Sequence, residues 1–302
     1  MFLKDKKPVI ISGSPRSGST WIGRVLEVHK NTNYVHEPFN IGIDRPNNPF
    51  KYWMEGVFNE QSKNHLREVK AYLDSFYSID NKYIRKELNG VSNLNDFRDS
   101  FWRYRERRKK TTILKDPIAF FALDWLSKNV TDKIIVTIRH PASVVASLKQ
   151  KQWGYEFEQM LKQPILMEKY LLPLKSEIEE FAKSEKSIVQ QGALQWKCVY
   201  YTNLEFMKAH PHWLYVTNEN LSLNPLQEFE RILNYIDLPI TENVKNHIIA
   251  STTARKGEET DLVRDSRSNI DKWKKLLTNE EIAYIKSSTE EVWSHYYNES
   301  DW

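Results

Sequence analysis

Residues Ile11–Trp21 read ISGSPRSGSTW, and this stretch decides the fold. An apolar run, Pro8–Ile11, precedes small turn-forming residues, and a helical pattern follows them. The spacing GxxxxGST from Gly13 onward is that of a phosphate-binding loop, but Ser19 stands where nucleotide-hydrolysing loops have lysine. Glycines let backbone N–H groups approach phosphate oxygens, and the following helix adds the positive end of its dipole. We therefore predict a phosphate site that works without the usual lysine.

The loop carries its own donors and charge. Ser17, Ser19 and Thr20 offer hydroxyl groups, and Arg16 offers a planar guanidinium suited to bridging oxyanions. Nucleotide hydrolysis usually needs Mg²⁺ held by an acid at a strand end, and the two most apolar predicted strands end without one. The loop is therefore expected to hold a phosphate without a metal.

A second candidate anion site lies in the segment IRHPASVVAS. Arg139 ends an apolar strand, Pro141 suits the first turn of a helix, and Ser147 comes eight residues after the arginine. Pairing of Arg139 with a carboxylate is the alternative. Two anion sites at the carboxyl ends of two strands suit a nucleotide with phosphates at separate positions, because α/β sheets bind ligands in the crevice beyond those ends.

Strand-like and helix-like segments alternate along the chain, which predicts a three-layer α/β fold of the P-loop NTPase type with a mostly parallel central sheet. The predicted strands are Lys7–Ser12, Thr32–Glu37, Thr111–Asp116, Asp132–His140 and His212–Thr217. The predicted helices are Thr20–Lys30, Ile118–Lys128, Ala142–Lys151, Ser187–Lys208, one after Asn224–Pro225 and one after Thr278. Residues from about 40 to 110 interrupt this alternation. They are aromatic and basic, and we expect a mostly helical insertion.

The bulk composition fits one domain spanning residues 1–302. A net charge of +4 does not call for nucleic acid as a partner. The one cysteine, Cys198, excludes an intramolecular disulfide and is expected in the core. Because no long apolar stretch precedes the loop, we expect neither a signal peptide nor a transmembrane segment, and a soluble cytoplasmic protein.

Taken together, SPRSGSTW and IRHPASVVAS resemble the two cofactor motifs of the sulfotransferase superfamily, which uses 3′-phosphoadenosine 5′-phosphosulfate (PAPS). The segments TNENLSLNP and IDKWKKLL are similar to later parts of that family. The resemblance implies metal-independent in-line transfer of a sulfuryl group to a hydroxyl, with adenosine 3′,5′-bisphosphate (PAP) as product. It implies that the loop holds the 5′-phosphosulfate and that Arg139 and Ser147 hold the 3′-phosphate. The loop residues so implied are Arg16, Ser17, Gly18, Ser19, Thr20 and Trp21.

The segment YVHEPF offers two candidate bases for the acceptor hydroxyl, His36 and Glu37, at the end of the second predicted strand. Side chains alternate along a strand, so only one of the two is expected to face the cleft. Glu-Pro after this strand is similar to carbohydrate-modifying members of the family, and we choose Glu37 as base with His36 in reserve. A carbohydrate or glycolipid acceptor follows from the same resemblance. Lys115 resembles a family position near the transferring group, although a surface Lys–Asp pair is an alternative.

The C-terminal region, about residues 251–277, is basic and resembles a family lid over the cofactor. Arg267 is chosen as its cofactor contact. Arg255-Lys256-Gly257 matches the residues of the family's basic RKG segment, but its spacing to Trp273 differs from that of the family. Two other functions remain open from the sequence. They are a non-catalytic nucleotide- or polyanion-binding module and, less favoured because of Ser19, a metal-dependent P-loop kinase.

Overall fold

The computed structural model describes residues 6–78, 89, 91–252 and 270–302. Its centre is a five-stranded parallel sheet with the order β2-β3-β1-β4-β5. The strands are β1 (Val9–Gly13), β2 (Thr32–His36), β3 (Thr111–Lys115), β4 (Ile134–Ile138) and β5 (Leu214–Thr217). The chain passes from β1 to β2 and β3 on one side and then to β4 and β5 on the other. The loop after β1 therefore lies where the strand order reverses.

The three inner strands are buried along their whole length, as expected when helices cover both faces of a parallel sheet. Alternate residues belong to two separate apolar clusters. Ile10 and Leu114 pack on one face, and Ile11 and Ile113 pack on the other. The predicted three-layer α/β architecture is therefore confirmed.

Helices of several lengths surround the sheet. They are α1 (Ser19–Glu27), α2 (Lys63–Tyr77), α3 (Leu94–Lys109), α4 (Leu123–Asn129), α5 (Pro141–Lys151), α6 (Glu158–Leu161), α7 (Pro164–Leu166), α8 (Lys175–Lys183), α9 (Ile188–Ala209), α10 (Asn218–Leu223), α11 (Pro225–Tyr235), α12 (Glu242–Thr252) and α13 (Asn279–Trp293). Short 3₁₀ or π turns occupy Pro117–Ala122, Met167–Leu171, Leu172–Leu174, Lys272–Lys275 and Glu299–Asp301.

Two helix predictions differ from the structure. The helix expected over Ile118–Lys128 begins as a 3₁₀ turn at Pro117, because the Asp116 side chain accepts hydrogen bonds from the backbone N–H groups of Ile118 and Ala119 and fixes a tight start. The first helix ends at Glu27 rather than Lys30. The capping boxes at Ser187 and Thr278 are both formed, and each marks the start of its helix.

The interrupting segment is helical only in part. Residues 40–62 form turns and irregular backbone, and among the described residues the helices of this segment are α2 and α3. Prolines at positions 46 and 49 disfavour helix in the first part. The predicted lid contact Arg267, together with Arg255 and Lys256, lies outside the described residues.

No helix in the described parts of the chain is long and apolar enough to cross a membrane. Cys198 is fully buried, as predicted.

Candidate active site

The loop between β1 and α1 needs its two glycines for steric reasons. Gly18 caps α1 with φ 102°, and a β-carbon there would lie 2.3 Å from Nδ2 of Asn218. Gly13 has φ 149°, and a β-carbon there would lie 2.4 Å from the carbonyl oxygen of Thr137. Other residues rarely adopt these backbone angles, and no side chain fits the space. The loop thus lies tightly against the neighbouring strand β4 and the start of α10.

The two predicted anion sites lie side by side. Arg139 donates from Nη1 to the carbonyl oxygen of Arg16 over 2.9 Å, and Arg16 donates from Nε to Oγ of Ser147 over 2.8 Å. The Arg16 guanidinium also lies 5.5 Å from the ring centre of Trp153. Residues from the loop after β1 and from the turn and helix after β4 therefore form one cationic corner.

The remaining loop residues divide into two groups. Ser19, Thr20 and Trp21 line the cavity, and the Trp21 indole donates to Oγ of Ser251 over 3.2 Å. Ser17 differs from the expectation of a ligand-facing hydroxyl. Its side chain is fully buried, and its Oγ donates to the carbonyl oxygen of Ser14 over 2.6 Å. Ser17 therefore holds the loop in shape from behind.

A cavity of about 810 Å³ opens at the carboxyl ends of the strands. Both arginines, Arg16 and Arg139, line one part of it, and His36 and Glu37 line another. The sites that sequence reasoning treated separately thus belong to one space. This is the arrangement required if an anionic donor and a hydroxyl acceptor are to meet.

Glu37 reaches the cavity because the strand ends just before it. Its φ of 46° lies in the left-handed region, which breaks the alternation of strand side chains. The prediction that only one of His36 and Glu37 faces the cleft is therefore wrong, since both line the cavity. Arg45 stabilises this unusual turn by donating from Nη1 to the carbonyl oxygen of Glu37 over 2.5 Å and from Nη2 to that of His36.

Both carboxylate oxygens of Glu37 have partners. Oε1 lies 2.5 Å from Nζ of Lys115, and Oε2 accepts from the Asn40 amide over 2.7 Å. Burial raises the pKa of Glu37, but Lys115 and Asn40 lower it more, so the net pKa lies below the ordinary value. Glu37 is therefore ionised at neutral pH, the state in which it can accept a proton.

Lys115 is completely buried and does not line the cavity. Burial lowers the pKa of its ammonium below the ordinary value, although Glu37 opposes the shift. The alternative of a surface Lys–Asp pair is wrong, because the side chain points beneath Glu37 and pairs with it. In this position Lys115 contacts the cavity only through Glu37.

His36 is the more exposed member of the pair. Its Nδ1 lies 3.1 Å from the hydroxyl of Tyr34, and its Nε2 lies 3.7 Å from Oε2 of Glu37. Burial and the nearby Lys115 ammonium lower its pKa below the ordinary value. A neutral imidazole at pH 7 is also able to accept a proton.

Asp116 fixes the backbone after Glu37 and after β3. Its Oδ2 accepts from the N–H of Phe39 over 2.6 Å, while Oδ1 accepts from the N–H of Ile118 over 2.9 Å. Burial raises the pKa of this carboxyl to about 7 against the opposing effect of these hydrogen bonds. The side chain ties the turn after Glu37 to the end of β3.

One wall of the cavity is aromatic and amide-rich. The backbone N–H of Trp53 donates to Oε1 of Gln159 over 2.8 Å, and the hydroxyl of Tyr155 donates to the carbonyl oxygen of Trp53 over 3.1 Å. Gln195 Nε2 lies 3.4 Å from the sulfur of Met54. These contacts hold the irregular segment before α2 against the residues around α6, so this wall is built by tertiary contacts.

A family model described as "Sulfotransferase family" matches residues 8–242, which is most of the chain. The chain belongs to the sulfotransferase family. It is an enzyme of that class, and the family implies the use of PAPS. A search of the curated proteins finds no significant match.

Three solved structures to which this sulfotransferase is similar are distant from it in sequence. The sulfotransferase domain from the Synechococcus PCC 7002 olefin synthase has 15% identity and a TM-score of 0.49, covering 99% of this chain and 98% of that chain. Sulfotransferase STF9 from Mycobacterium avium has 14% identity and a TM-score of 0.46, covering 97% and 78%. Mouse sulfotransferase SULT7A1, complexed with PAP, has 11% identity and a TM-score of 0.42, covering 99% and 88%. At identities this low, the acceptors of those proteins do not indicate the acceptor of this one.

Several residues of the sulfotransferase site were missed by sequence reasoning. Asn40 and Arg45 lie in the segment without periodicity, and nothing in the sequence marks them. Asp116 precedes Pro117, and an acid followed by proline is typical of the start of a helix. The sequence could therefore have indicated that Asp116 caps the turn that begins there. Glu219 is partly buried, and its Oε1 accepts from the backbone N–H of His140, next to Arg139, over 3.0 Å. Among the described residues no group of three or more His, Cys, Asp or Glu is placed to hold a metal ion.

Proposed function

We propose that the sulfotransferase moves a sulfuryl group from PAPS to a hydroxyl of a carbohydrate or glycolipid, by metal-independent in-line transfer with Glu37 as the base. The observation that carries the proposal is the single cavity in which the Arg16–Arg139 corner and the Glu37 carboxylate face a shared space. An anion-binding corner and a proton acceptor are the two elements that transfer to an alcohol requires.

The residues of the cationic corner fit the two phosphate groups of the cofactor. Arg16, Ser19 and Thr20, with the N-terminus of α1, would hold the 5′-phosphosulfate, and Arg139 and Ser147 would hold the 3′-phosphate. Gly18 supports this fit, since any side chain there would close the loop against Asn218. When bound, PAPS supplies the sulfuryl group and leaves as PAP. Arg267 remains a proposed further contact.

Glu37 is the proposed base because it is ionised at neutral pH and lines the cavity. The ammonium of Lys115 fixes one oxygen of the carboxylate, and the Asn40 amide fixes the other. This arrangement orients the carboxylate at the expense of some basicity, because both donors stabilise its charged form. His36 stays in reserve, since its neutral imidazole lines the same cavity.

The acceptor class rests on the aromatic and amide side chains that line the same cavity. Trp53, Tyr155 and the amides of Gln159 and Gln195 line it. Aromatic faces pack against the C–H faces of sugar rings, and amides exchange hydrogen bonds with hydroxyl groups. These side chains support a polyhydroxylated acceptor over a simple apolar alcohol. An exposed Trp153 extends the wall towards solvent.

Thermal unfolding with PAP, without magnesium, tests the donor site. PAP at about 100 times its dissociation constant should add about 2.7 kcal/mol of apparent stability. Adenosine 5′-phosphate should add much less, because it has no 3′-phosphate for Arg139. Arg139→Ala should remove the PAP effect, and the matched control Arg231→Ala, an exposed arginine on α11, should keep it. Stabilisation by Mg·ATP alone, or by none of these ligands, would contradict the proposed donor.

Acceptor screening with saccharides then tests the base. Glu37→Gln should lower kcat by roughly 10²–10⁴ through loss of the proton acceptor, while PAP binding is retained because the cationic corner is unchanged. His36→Gln should change kcat far less. A larger loss in His36→Gln than in Glu37→Gln would transfer the role to His36, and turnover of phenols but no saccharide would contradict the acceptor class.

A further inference from the structure

Helix α3 exposes a run of large apolar side chains that the proposed function does not use. Leu94 is 87% exposed, Phe97 51%, Phe101 52% and Trp102 62%. Single exposed apolar residues are ordinary on protein surfaces, but four within three turns of one helix form a patch that marks an interaction site.

Basic residues share the same face of α3. At 3.6 residues per turn, the four apolar side chains lie with Arg98, Arg105 and Lys109 in an arc of about 140°. Ser100, which is buried, lies on the opposite side. The acidic residues Asp96 and Asp99 project outside the arc. The outward face of α3 therefore combines apolar and cationic groups without an acid among them.

The charge of this region is large relative to the whole chain. Residues 94–110, the helix and the lysine after it, contain seven basic and three acidic residues, a net charge of +4 that equals the charge of the whole chain. Lys6 adds a further cation, because its Nζ donates to the carbonyl oxygen of Lys109 over 2.8 Å. The rest of the chain is therefore neutral overall, and the positive excess lies at this helix and Lys110.

We propose that the outward face of α3 binds the surface of an anionic phospholipid bilayer. Helices with aromatic and leucine side chains beside arginine and lysine lie in the plane of the interface, with the apolar groups among the upper acyl chains and the cations at the phosphates. The face is a single convex helix, whereas proteins that bind single-stranded nucleic acid do so in a groove that follows the backbone. A bilayer is favoured for two reasons. Its anionic headgroups complement the basic side chains, and its acyl chains can accommodate the four apolar ones, Leu94, Phe97, Phe101 and Trp102.

The test is co-sedimentation of the full chain with vesicles. Wild-type protein should bind vesicles of phosphatidylcholine with phosphatidylserine at least about tenfold more strongly than vesicles of phosphatidylcholine alone, and high salt should weaken that binding. Arg98→Gln/Arg105→Gln should reduce the partition coefficient at least about tenfold, since each arginine contributes roughly fivefold. Phe101→Ser/Trp102→Ser should reduce it similarly on anionic vesicles.

A matched control keeps the test specific. Leu172→Ser/Lys175→Gln removes an exposed apolar residue and an exposed lysine elsewhere on the surface, and should leave the partition coefficient unchanged. Unfolding curves of all variants should match the wild type, because the replaced side chains are exposed. Equal binding to neutral and anionic vesicles, or unchanged binding in the α3 variants, would overturn the proposal. So would an α3-dependent dimer, or tighter binding to a single-stranded oligonucleotide that displaces the vesicles.

Discussion

Replacing Lys115 by methionine would test the buried Lys115–Glu37 pair most directly. The Lys115 side chain is fully buried, and its Nζ lies 2.5 Å from a carboxylate oxygen of Glu37, which is itself 16% exposed. Methionine has a similar length and no charge, so Lys115→Met leaves the Glu37 carboxylate without its main counter-charge. Glu37→Gln has the converse effect and leaves the Lys115 ammonium buried alone.

The expected magnitude follows from the geometry of the pair. At 2.5 Å and an effective dielectric constant near 20, the attraction is about 7 kcal/mol before desolvation is counted. Desolvation cancels much of that gain, but removing one partner of a buried pair costs about 3 kcal/mol of unfolding free energy. The lower end of the usual range applies, because Glu37 keeps some access to water and burial already lowers the pKa of Lys115.

The interaction energy between Glu37 and Lys115 can be measured by urea unfolding at pH 7. The proteins compared are the wild type, the two single variants and Glu37→Gln/Lys115→Met. Each single variant should lose about 3 kcal/mol, while the double variant should be more stable than either, with a coupling energy of at least about 2 kcal/mol. The acid limb of the kcat profile should move about 1–2 pH units upward in Lys115→Met, because the pKa of Glu37 rises when the ammonium is lost. Losses that simply add in the double variant would refute the buried-pair argument.

Three further outcomes are expected. Gly18→Ala should abolish stabilisation by PAP, because its β-carbon would lie 2.3 Å from Nδ2 of Asn218 at a φ of 102°, whereas Gly192→Ala in a helix should retain it in the same thermal assay. The pKa of Asp116 is raised from 3.8 to about 7, so its contribution to stability is full below pH 3.8 and is lost as the pH rises through 7. Asp116→Asn should remove a decline of roughly 4 kcal/mol across that window in urea titrations, and an identical pH profile in both proteins would contradict this. Cys198 should react with a thiol reagent at least about 10³-fold more slowly in the native protein than in urea, because it is fully buried and burial raises its pKa, and rapid native labelling would contradict that burial.

The turn at His36 and Glu37 shows where prediction from sequence stopped. His36 and Glu37 were found because they follow an apolar, β-rich run, but strand alternation predicted that one of them would turn away. The structure places both at the cavity because Glu37 adopts a left-handed φ of 46°. Arg45 makes that conformation possible, and its partners lie eight and nine residues away in an irregular turn. No period or local propensity encodes such a contact.

The positions of the glycine loop and of Arg139 were predictable from the sequence, but the orientation of one hydroxyl in the loop was not. The loop and Arg139 were placed correctly because their spacing relative to strand and helix is local. The hydroxyl of Ser17 was expected to face the ligand, yet it turns inward to Ser14 and Thr137. Which side of a tight loop a hydroxyl occupies depends on the neighbouring strand, and Thr137 is 120 residues away in sequence.

The sequence alone therefore determined the α/β architecture, the glycine loop and the identity of the two arginine-bearing motifs. Hydrophobic period, turn chemistry and short spacings encode these features, and each is set within a few residues. Only the tertiary structure decided that Arg16 meets Ser147 across 131 positions and that Glu37 meets Lys115 across 78. Those contacts depend on strand order, because β1 lies beside β4 and β2 lies beside β3. Charge pairing at the site follows from that order, since a buried ammonium is stable only where the fold delivers a carboxylate to it.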